Sequence, residues 1–476
     1  MSAALSDEQL AFLPLGELAA RISDGEVTSV RVTELMLSRI AAHNPQLNCY
    51  ITVCTEAALA QARAMDALRA EGIRLGPLHG VPIAIKDNME TAGVRTTGGS
   101  PLYADHVPER DSTVVERLRR AGAVILGKLN MYELAFGGVH PDFGETRNPW
   151  NLERSCGASS SGSGSAVAAG LAYAALGSDT GGSIRLPAAA CGIVGLKATY
   201  GVVSRAGVLP AGYSLDHVGP MTRTVTDAAI LMQVLAGPDP RDPAGSERPA
   251  SDYLSGIELG IDGLRIGVPR RQANERIGQE MLAAFHASLN LLRRAGARLV
   301  EIELPDHLAS RSLMWAIAAS ELAEGHSDSL RERPNDYSPR VRGLITQGAF
   351  LPATEYIHAQ RVRQTIARSY AEIMQSVDLI AMPVVPFPAW RVGDEDVTYD
   401  NVTENLMSGM TRYCPPFNIT GQPAIALPAG FDSVGLPLSF QIAGRLHEDA
   451  LVLRAARAFE RLAGPHPNPV LPPVAA

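Results

Sequence analysis

Two stretches rich in serine and glycine contain the side chains best suited to chemistry. Residues 156–165 read CGASSSGSGS, and residues 177–185 read GSDTGGSIR. In the second stretch Ser183 follows two consecutive glycines, which allow the backbone to turn several N–H groups towards one point. An oxyanion that develops during acyl transfer requires such a cluster of donors. The second stretch therefore has the composition of an oxyanion hole.

The first stretch allows three interpretations: a linker, a phosphate-binding loop or part of an active site. Gly/Ser-rich chain is typical of flexible linkers, but AVAAGLAYAALG (166–177) follows at once and predicts a buried helix of small residues. A dinucleotide loop is matched only in part, because Val167 stands where the fingerprint needs Gly or Ala. The GxSxG elbow of many hydrolases occurs in neither stretch. No familiar motif therefore decides the question.

Lys86 ends the apolar strand pattern of residues 81–86, and alternation places it on the same face as Ala84. If that face is covered, burial can lower the pKa of the amine by roughly 3–5 units. A lysine in this position can also reach solvent or pair with Asp87. Without other information, these two arrangements are the more frequent ones.

Hydrophobic periodicity predicts the elements that position these residues. Two amino-terminal helices are predicted, over 29–45, where Asn44 and Pro45 should end the helix, and over 55–72. Strand–helix–strand patterns follow, which indicate parallel strands with helices on their faces. The predicted strands are 81–86, 123–127, 264–269, 297–305, 377–383, 423–430 and 436–444, and the later helices are 111–122, 278–296, 354–376 and 448–463.

Two segments bear on domain organisation. The Pro/Asp-rich stretch 237–249 is the best linker candidate, but strands lie on both sides of it and are expected to share one sheet. Residues 305–350 contain no strand pattern and are expected to form a helical cover over the sheet.

Composition excludes several classes of protein. The chain has 476 residues with 42 basic and 50 acidic side chains, and it has no Lys/Arg block that would favour nucleic-acid binding. No apolar run approaches the roughly 20 residues that span a bilayer. The amino terminus is acidic, unlike a secretory signal, and five scattered cysteines argue against a disulfide framework or a zinc site. We therefore expect a soluble cytoplasmic protein that does not bind membranes or nucleic acid.

Several long motifs, in the right order, resemble the amidase signature family. They are GPLHGVPIAIKDN around Lys86, NPWNLERSCGASSSGSGSAVAAGLAYAALGSDTGGSIRLPAAACGIVGLKATYGVVS, SLDHVGPMTRTVTDAA, GQPAIALPAGF and GLPLSFQIAGR. The resemblance covers most of the chain outside about 240–350. It implies one α/β domain over residues 1–476, with a mixed central sheet covered by helices on both faces. Within it we expect amino-terminal helices in 1–75, the catalytic core in 76–235 and the substrate cover in 305–350.

The resemblance also implies a Ser-cisSer-Lys catalytic triad. Ser183 corresponds to the nucleophile, Ser159 to the bridging serine that follows a cis peptide bond, and Lys86 to the base. Ala158 stands where the family usually has Gly. The implied oxyanion donors are the backbone N–H groups of Thr180, Gly181, Gly182 and Ser183, and the implied supporting residues are Ser160, Asp179 and Arg185.

The implied reaction is acyl transfer in two steps, without a metal or a cofactor. Amide C–N bonds are the expected substrates, extending to carbamates and to aryl amides and esters, as in aryl acylamidases and urethanases. The expected pocket residues are Met131, Tyr132, Arg205 and Trp315. We expect a small-molecule amide or carbamate as the only partner of a monomer or homodimer.

Two other functions compete with this one. An amidotransferase A-type subunit would supply ammonia for charged-tRNA amidation and would be inactive on simple amides without its partner. The helical cover and the lack of a basic face argue against it. A binding protein that has lost catalysis is disfavoured by the joint presence of Lys86, Ser159 and Ser183.

Overall fold

An eleven-stranded mixed sheet runs through the protein. The computed structural model describes residues 5–471, except for the side chains of residues 307 and 308. The strands are β1 (Tyr50–Val53), β2 (Pro82–Lys86), β3 (Val124–Leu129), β4 (Arg147–Asn148), β5 (Asn151–Ser155), β6 (Ala174–Asp179), β7 (Val194–Lys197), β8 (His217–Thr222), β9 (Arg265–Pro269), β10 (Arg298–Ile302), β11 (Leu379–Pro383), β12 (Asp396–Tyr399), β13 (Val402–Asn405), β14 (Ala424–Phe431) and β15 (Pro437–Ala443).

The order of strands in the large sheet is β1-β3-β2-β6-β8-β7-β14-β15-β11-β9-β10. Strand β2 is parallel to β3 and β6, and β9 is parallel to β10 and β11, whereas β6 is antiparallel to β8 and β14 is antiparallel to both of its neighbours. Strands from both sides of residues 237–249 therefore lie in one sheet, as predicted. Two short pairs, β4–β5 and β12–β13, lie outside it.

Helices cover the sheet. They are α1 (Asp7–Ala11), α2 (Leu15–Asp24), α3 (Ser29–Leu47), α4 (Thr55–Ala70), α5 (Thr113–Arg120), α6 (Ser161–Ala168), α7 (Arg185–Cys191), α8 (Val225–Leu235), α9 (Gln279–Arg294), α10 (His307–Gly325), α11 (Ser327–Glu332), α12 (Pro339–Ala349), α13 (Ala353–Ser376), α14 (Leu406–Met410), α15 (Pro415–Ile419) and α16 (Asp449–Ala463). None of the helices within residues 5–471 combines the length and the apolar character that crossing a bilayer requires.

Both faces of the sheet are buried, under different layers. Along β11, Leu379 and Ala381 belong to one apolar cluster, whereas Ile380 and Met382 belong to another. Successive side chains of a strand point to opposite faces, so each cluster fills the space between the sheet and its own set of helices. The second cluster includes Met314 and Ile317 of α10, which places the predicted helical cover on this face.

Two predicted elements differ from the structure. The helix predicted over 166–177 is wrong: α6 is formed by the serine–glycine run itself, and residues 174–179 form strand β6. A Cβ atom on Gly162 would lie 2.5 Å from the backbone oxygen of Asn130, so this helix needs small residues in order to pack against neighbouring backbone.

The second difference is the end of α3. The helix continues through Pro45 to Leu47 and ends at Asn48, which has a left-handed conformation. The Asn44 side chain accepts hydrogen bonds from the N–H groups of Cys49 and Tyr50 at 2.9 and 2.8 Å. Asn44 therefore stabilises the chain that leaves the helix rather than ending the helix itself.

Candidate active site

Lys86 is the last residue of β2, a strand held between β3 and β6, and it is fully buried. Its Nζ lies 2.7 Å from the Oγ of Ser159, 2.9 Å from that of Ser160 and 2.8 Å from that of Ser178. The alternative pairing with Asp87 does not occur, because that carboxylate faces Lys128, with an Nζ–Oδ1 distance of 3.2 Å. The lysine is therefore surrounded by hydroxyl groups.

This environment favours the neutral amine. Burial lowers the pKa of Lys86 from its ordinary 10.5 to about 7, although the charges of Asp216 and Asp179 act in the opposite direction. Loss of hydration disfavours the ammonium form, and a hydroxyl replaces only part of that hydration. An amine with this pKa can accept a proton near neutral pH.

The hydrogen bonds around Lys86 allow its lone pair to face Ser159. Ser160 Oγ donates to the backbone oxygen of Ser178 at 3.1 Å and so has no proton left for the lysine. Ser178 Oγ accepts a hydrogen bond from Asn88 Nδ2 at 3.1 Å. If the two N–H groups of a neutral Lys86 point to Ser160 and Ser178, the lone pair faces Ser159. Ser159 has no other hydrogen-bond partner for its hydroxyl in the described part of the chain.

Ser178 and Asn88 are residues that sequence reasoning missed. Ser178 reaches Lys86 because β6 pairs in parallel with β2, with Ile85 opposite Leu176. The sequence did contain a signal for Ser178, because this residue directly precedes Asp179. The signal was missed since the first residues of its strand, β6, were predicted to be helical.

The turn that carries Ser183 connects β6 to α7. The Asp179 carboxylate accepts from the N–H groups of Gly182 and Ile184 at 2.7 and 3.2 Å, and from Arg185 Nε at 3.0 Å. Gly182 has φ of 128°, a conformation that other residues rarely adopt. Asp179 and Arg185 thus shape the turn around a residue that has to be glycine.

One predicted oxyanion donor is already engaged. The Gly182 N–H points to Asp179 and does not face the site, so the expectation for this residue is not met. The N–H groups of Thr180, Gly181 and Ser183 make no hydrogen bond to other residues within 5–471. These three groups are available to a ligand.

The two serine-bearing stretches meet at this point. The Ser160 N–H donates to the Ser183 backbone oxygen at 3.3 Å. Ser159 is buried, whereas Ser183 is partly exposed and its hydroxyl makes no hydrogen bond to another described residue. Every peptide bond in the described chain is trans, including the bond before Ser159, for which the resemblance implied cis.

A cavity of about 50 Å³ lies in front of Ser183, and a second of about 560 Å³ has several lining residues in common with it. The predicted Tyr132 and Trp315 both line the first cavity, and Trp315 packs against Phe136 with ring centroids 4.7 Å apart. The residues that line both cavities are Tyr132, Gly137, Met407 and Met410. The two methionines come from a segment in which the sequence showed no motif.

The other two predicted pocket residues lie elsewhere. Met131 is buried in a small cluster with Ala135 and Ala211, because the chain turns so that Tyr132 faces the cavity. Arg205 donates to Asp242 at 2.9 Å and lines a different cavity of about 200 Å³. Both expectations were wrong. The turn directs Tyr132 instead of Met131 to the cavity, and the ion pair with Asp242 holds Arg205 elsewhere.

Comparison with known proteins agrees with the family resemblance that the sequence motifs showed. The model of the family described as Amidase matches residues 31–453. The chain belongs to the Amidase family. Members of this family are enzymes that act on C–N bonds, and this chain has the mixed α/β fold that the resemblance implied.

Relatives with different names match nearly the whole chain. The A-type subunit of the glutamyl-tRNA(Gln) amidotransferase of Roseiflexus sp. (strain RS-1) is 41% identical over 480 residues, which cover 95% of this chain and 97% of that protein. The solved structure of the corresponding protein from Thermotoga maritima is 33% identical with a TM-score of 0.82, covering 99% and 100% of the two chains. A bacterial aryl acylamidase of the amidase signature family is 26% identical with a TM-score of 0.87, covering 95% and 96%.

Proposed function

We propose that this amidase cleaves the C–N bond of a carboxamide through an acyl ester on Ser183, with Lys86 as the base and Ser159 as the relay. The observation that carries the proposal is the fully buried Lys86 amine, 2.7 Å from the Ser159 hydroxyl, with a pKa of about 7. A serine hydroxyl becomes a competent nucleophile only when a base takes its proton.

Each step can be written with groups that the site contains. Ser183 Oγ bonds to the carbonyl carbon while its proton passes to Ser159, whose own proton passes to Lys86. The C–N bond then breaks, and the proton returns through Ser159 to the leaving nitrogen. Water attacks the ester by the same relay and releases the carboxylic acid, which restores the Ser183 hydroxyl.

The developing oxyanion needs donors that are already in position. The free N–H groups of Thr180, Gly181 and Ser183 support this role, because the Asp179 and Arg185 contacts hold their turn rigid. Removal of one such donor typically costs 10²–10³ in kcat in other hydrolases.

We propose that the biological role is that of an A-type amidotransferase subunit, which passes the released ammonia to a partner. The support is the 41% identity to a protein with that name over 95% of the chain. This role replaces the expectation of a small molecule as the only partner. Other subunits and a charged tRNA would then be partners as well.

A free hydrolase is the second candidate, and one observation favours it. The cavity in front of Ser183 is lined by the apolar side chains of Phe136, Leu186, Met314, Trp315 and Met410. Such walls suit an apolar or aromatic acyl group better than the polar end of an amino acid amide. The aryl acylamidase neighbour is consistent with this second candidate.

Covalent labelling tests the shared chemistry. We expect a fluorophosphonate to modify Ser183, as mapped by mass spectrometry, and Ser183→Ala to abolish both labelling and amide hydrolysis. Ser163→Ala is a matched control, because Ser163 lies on α6 and donates to the Leu176 backbone oxygen, whereas Lys86 contacts the hydroxyls of Ser159, Ser160 and Ser178. Labelling of another residue would refute the assignment.

A substrate panel separates the two roles. Purified protein is assayed with glutamine, asparagine, anilides and aryl carbamates, alone and with co-purifying subunits. Ammonia release from glutamine that requires those subunits supports the amidotransferase role. Rapid cleavage of anilides or carbamates by the isolated chain supports the free hydrolase.

A further inference from the structure

The SLDHVGP motif (214–220) contains a buried carboxylate, Asp216, that the proposed mechanism does not use. Asp216 directly precedes β8, which pairs antiparallel with β6 so that His217 lies opposite Asp179. This register brings Asp216 level with Thr180. Thr180 is the first residue of the turn 180–183 that carries the proposed oxyanion donors, called the oxyanion turn below.

Asp216 connects that turn to the loop that precedes β8. Its Oδ1 accepts hydrogen bonds from the Thr180 hydroxyl and from the Gly212 N–H, and its Oδ2 accepts from the Ala211 N–H at 2.9 Å. A Cβ atom on Gly212 would lie 3.1 Å from Thr180 Cγ2 and 3.2 Å from Ala318 Cβ. The loop is therefore packed between the oxyanion turn and helix α10.

The same loop is hydrogen-bonded to helix α10 of the cover and to helix α13, which follows the cover. Ser214 N–H donates to Glu321 of α10 at 2.8 Å, and Arg363 of α13 donates to the Ser214 backbone oxygen at 2.9 Å. Tyr356 donates to the other oxygen of Glu321 at 2.8 Å. Asp216 thus joins the turn to a loop that is itself hydrogen-bonded to α10 and α13.

We propose that Asp216 is a positioning residue for acyl transfer, which holds the Thr180 end of the oxyanion turn in place. The proposal rests on the function proposed above. Both carboxylate oxygens act as acceptors, because Oδ1 accepts from Thr180 in the turn and from Gly212 in the loop, whereas Oδ2 accepts from Ala211 in the loop. An amide at this position has only one acceptor oxygen. Its nitrogen would face one of these O–H or N–H donors, and that hydrogen bond would be lost.

The charge of Asp216 has a separate consequence for the base. Two carboxylates raise the pKa of Lys86 against the effect of burial, Asp216 first and then Asp179. Asp179 is paired with Arg185 at 3.0 Å, whereas Arg205, whose charge also acts on Asp216, is bound to Asp242. Loss of the Asp216 charge therefore lowers the pKa of Lys86 further.

The test compares Asp216→Asn, Thr180→Val and Thr180→Ser, once Ser183 labelling and amide hydrolysis are established for the unchanged protein. For Asp216→Asn we expect kcat to fall about 10²-fold, as for a misplaced catalytic group, with KM changed much less. We also expect the acidic limb of the pH profile to move to lower pH. Thr180→Val should lower kcat without moving that limb, and Thr180→Ser, which keeps the hydroxyl, should have a higher kcat than Thr180→Val.

A matched control is Asp227→Asn, which removes a buried carboxylate that accepts from the Gly16 N–H, far from the turn. It should leave kcat and the pH profile unchanged. If Asp216→Asn retains kcat and the position of the acidic limb, the inference is overturned, even though the proposed function stands. If Asp216→Asn does not fold, a Thr180→Val variant with full kcat overturns it. An unchanged protein without labelling or hydrolysis would instead refute the proposed function.

Discussion

The Lys86 amine has to lose its proton before it can accept one from Ser159, and this requirement sets the pH dependence of the reaction. The pKa of about 7 is lower than the ordinary 10.5, so the neutral fraction increases as pH rises through 7. We expect kcat/KM to rise about tenfold per pH unit on the acidic side and to level off roughly one unit above neutrality.

Steady-state hydrolysis of an uncharged amide across this range measures the effect. The substrate has to be uncharged so that only groups of the enzyme titrate. A profile that falls as pH increases through 7 would be incompatible with a lysine base.

At the residue scale, motifs predict the reactive groups better than their surroundings. The sequence brought Lys86 and Ser159 together correctly, because long motifs identify both. Ser178 could not be predicted, since its contact with Lys86 depends on the register of β2 against β6. Met131 was assigned to the pocket together with Tyr132, because local sequence does not say which side chain of a turn faces the cavity.

At the scale of elements, helix α6 shows why a run of glycine and serine need not be a linker. The helix lies so close to other backbone that Gly162 faces Asn130, and Gly164 faces Pro187 and Cys191. Small residues are usually weak helix formers, but here tertiary packing overrides propensity. Local sequence therefore predicts the start of this helix five residues too late, at 166 instead of 161, while seven of the eleven strands of the large sheet and most of the long helices were predicted near their observed bounds.

This packing predicts the effect of a methyl group. Gly162→Ala would place Cβ within 2.6 Å of backbone atoms of Asn130 and Cys49, which cannot move without disturbing β3 and β1. We expect a loss of about 1–3 kcal/mol in the free energy of unfolding, measured by urea denaturation.

Gly343→Ala is the control for this variant, since Gly343 lies inside α12 and a Cβ atom added there would have no other atom within 4 Å. We expect it to stabilise the protein by up to about 1 kcal/mol, because alanine is the better helix former. Equal effects of the two changes would contradict the close approach of α6.

At the scale of the whole molecule, one buried network joins distant parts of the chain behind the site. Arg185 donates to Asp179, to Asn418 Oδ1 at 2.7 Å and to Gln441 Oε1 at 3.0 Å. All four side chains are buried. The turn that carries Ser183 is therefore held by residues that lie more than 200 positions later in the sequence.

Removal of the cation should leave the Asp179 charge uncompensated. We expect Arg185→Met to lower the free energy of unfolding by about 3–5 kcal/mol, the usual result of breaking a buried ion pair. Arg265→Met removes a partly exposed pair with Asp378 and should cost at most about 1 kcal/mol. Thermal and urea unfolding of the two variants provide the comparison, and a similar small loss in both would show that the network contributes little.

The strand order is the part of the fold that sequence reasoning could not supply. Periodicity identifies β14 and β15 as strands, but it does not show that they lie between β7 and β11 in the middle of the sheet. Long-range pairing of this kind depends on packing across the sheet, which no local pattern encodes.

That central position has a consequence for synthesis on the ribosome. Strands β14 and β15 come from residues 424–443, so the strands on either side of them in the sheet cannot be joined through them until residue 443 has left the ribosome. Asn418 and Gln441 arrive at the same late stage. A nascent chain that ends before these residues therefore lacks the side chains that hold the turn carrying Ser183.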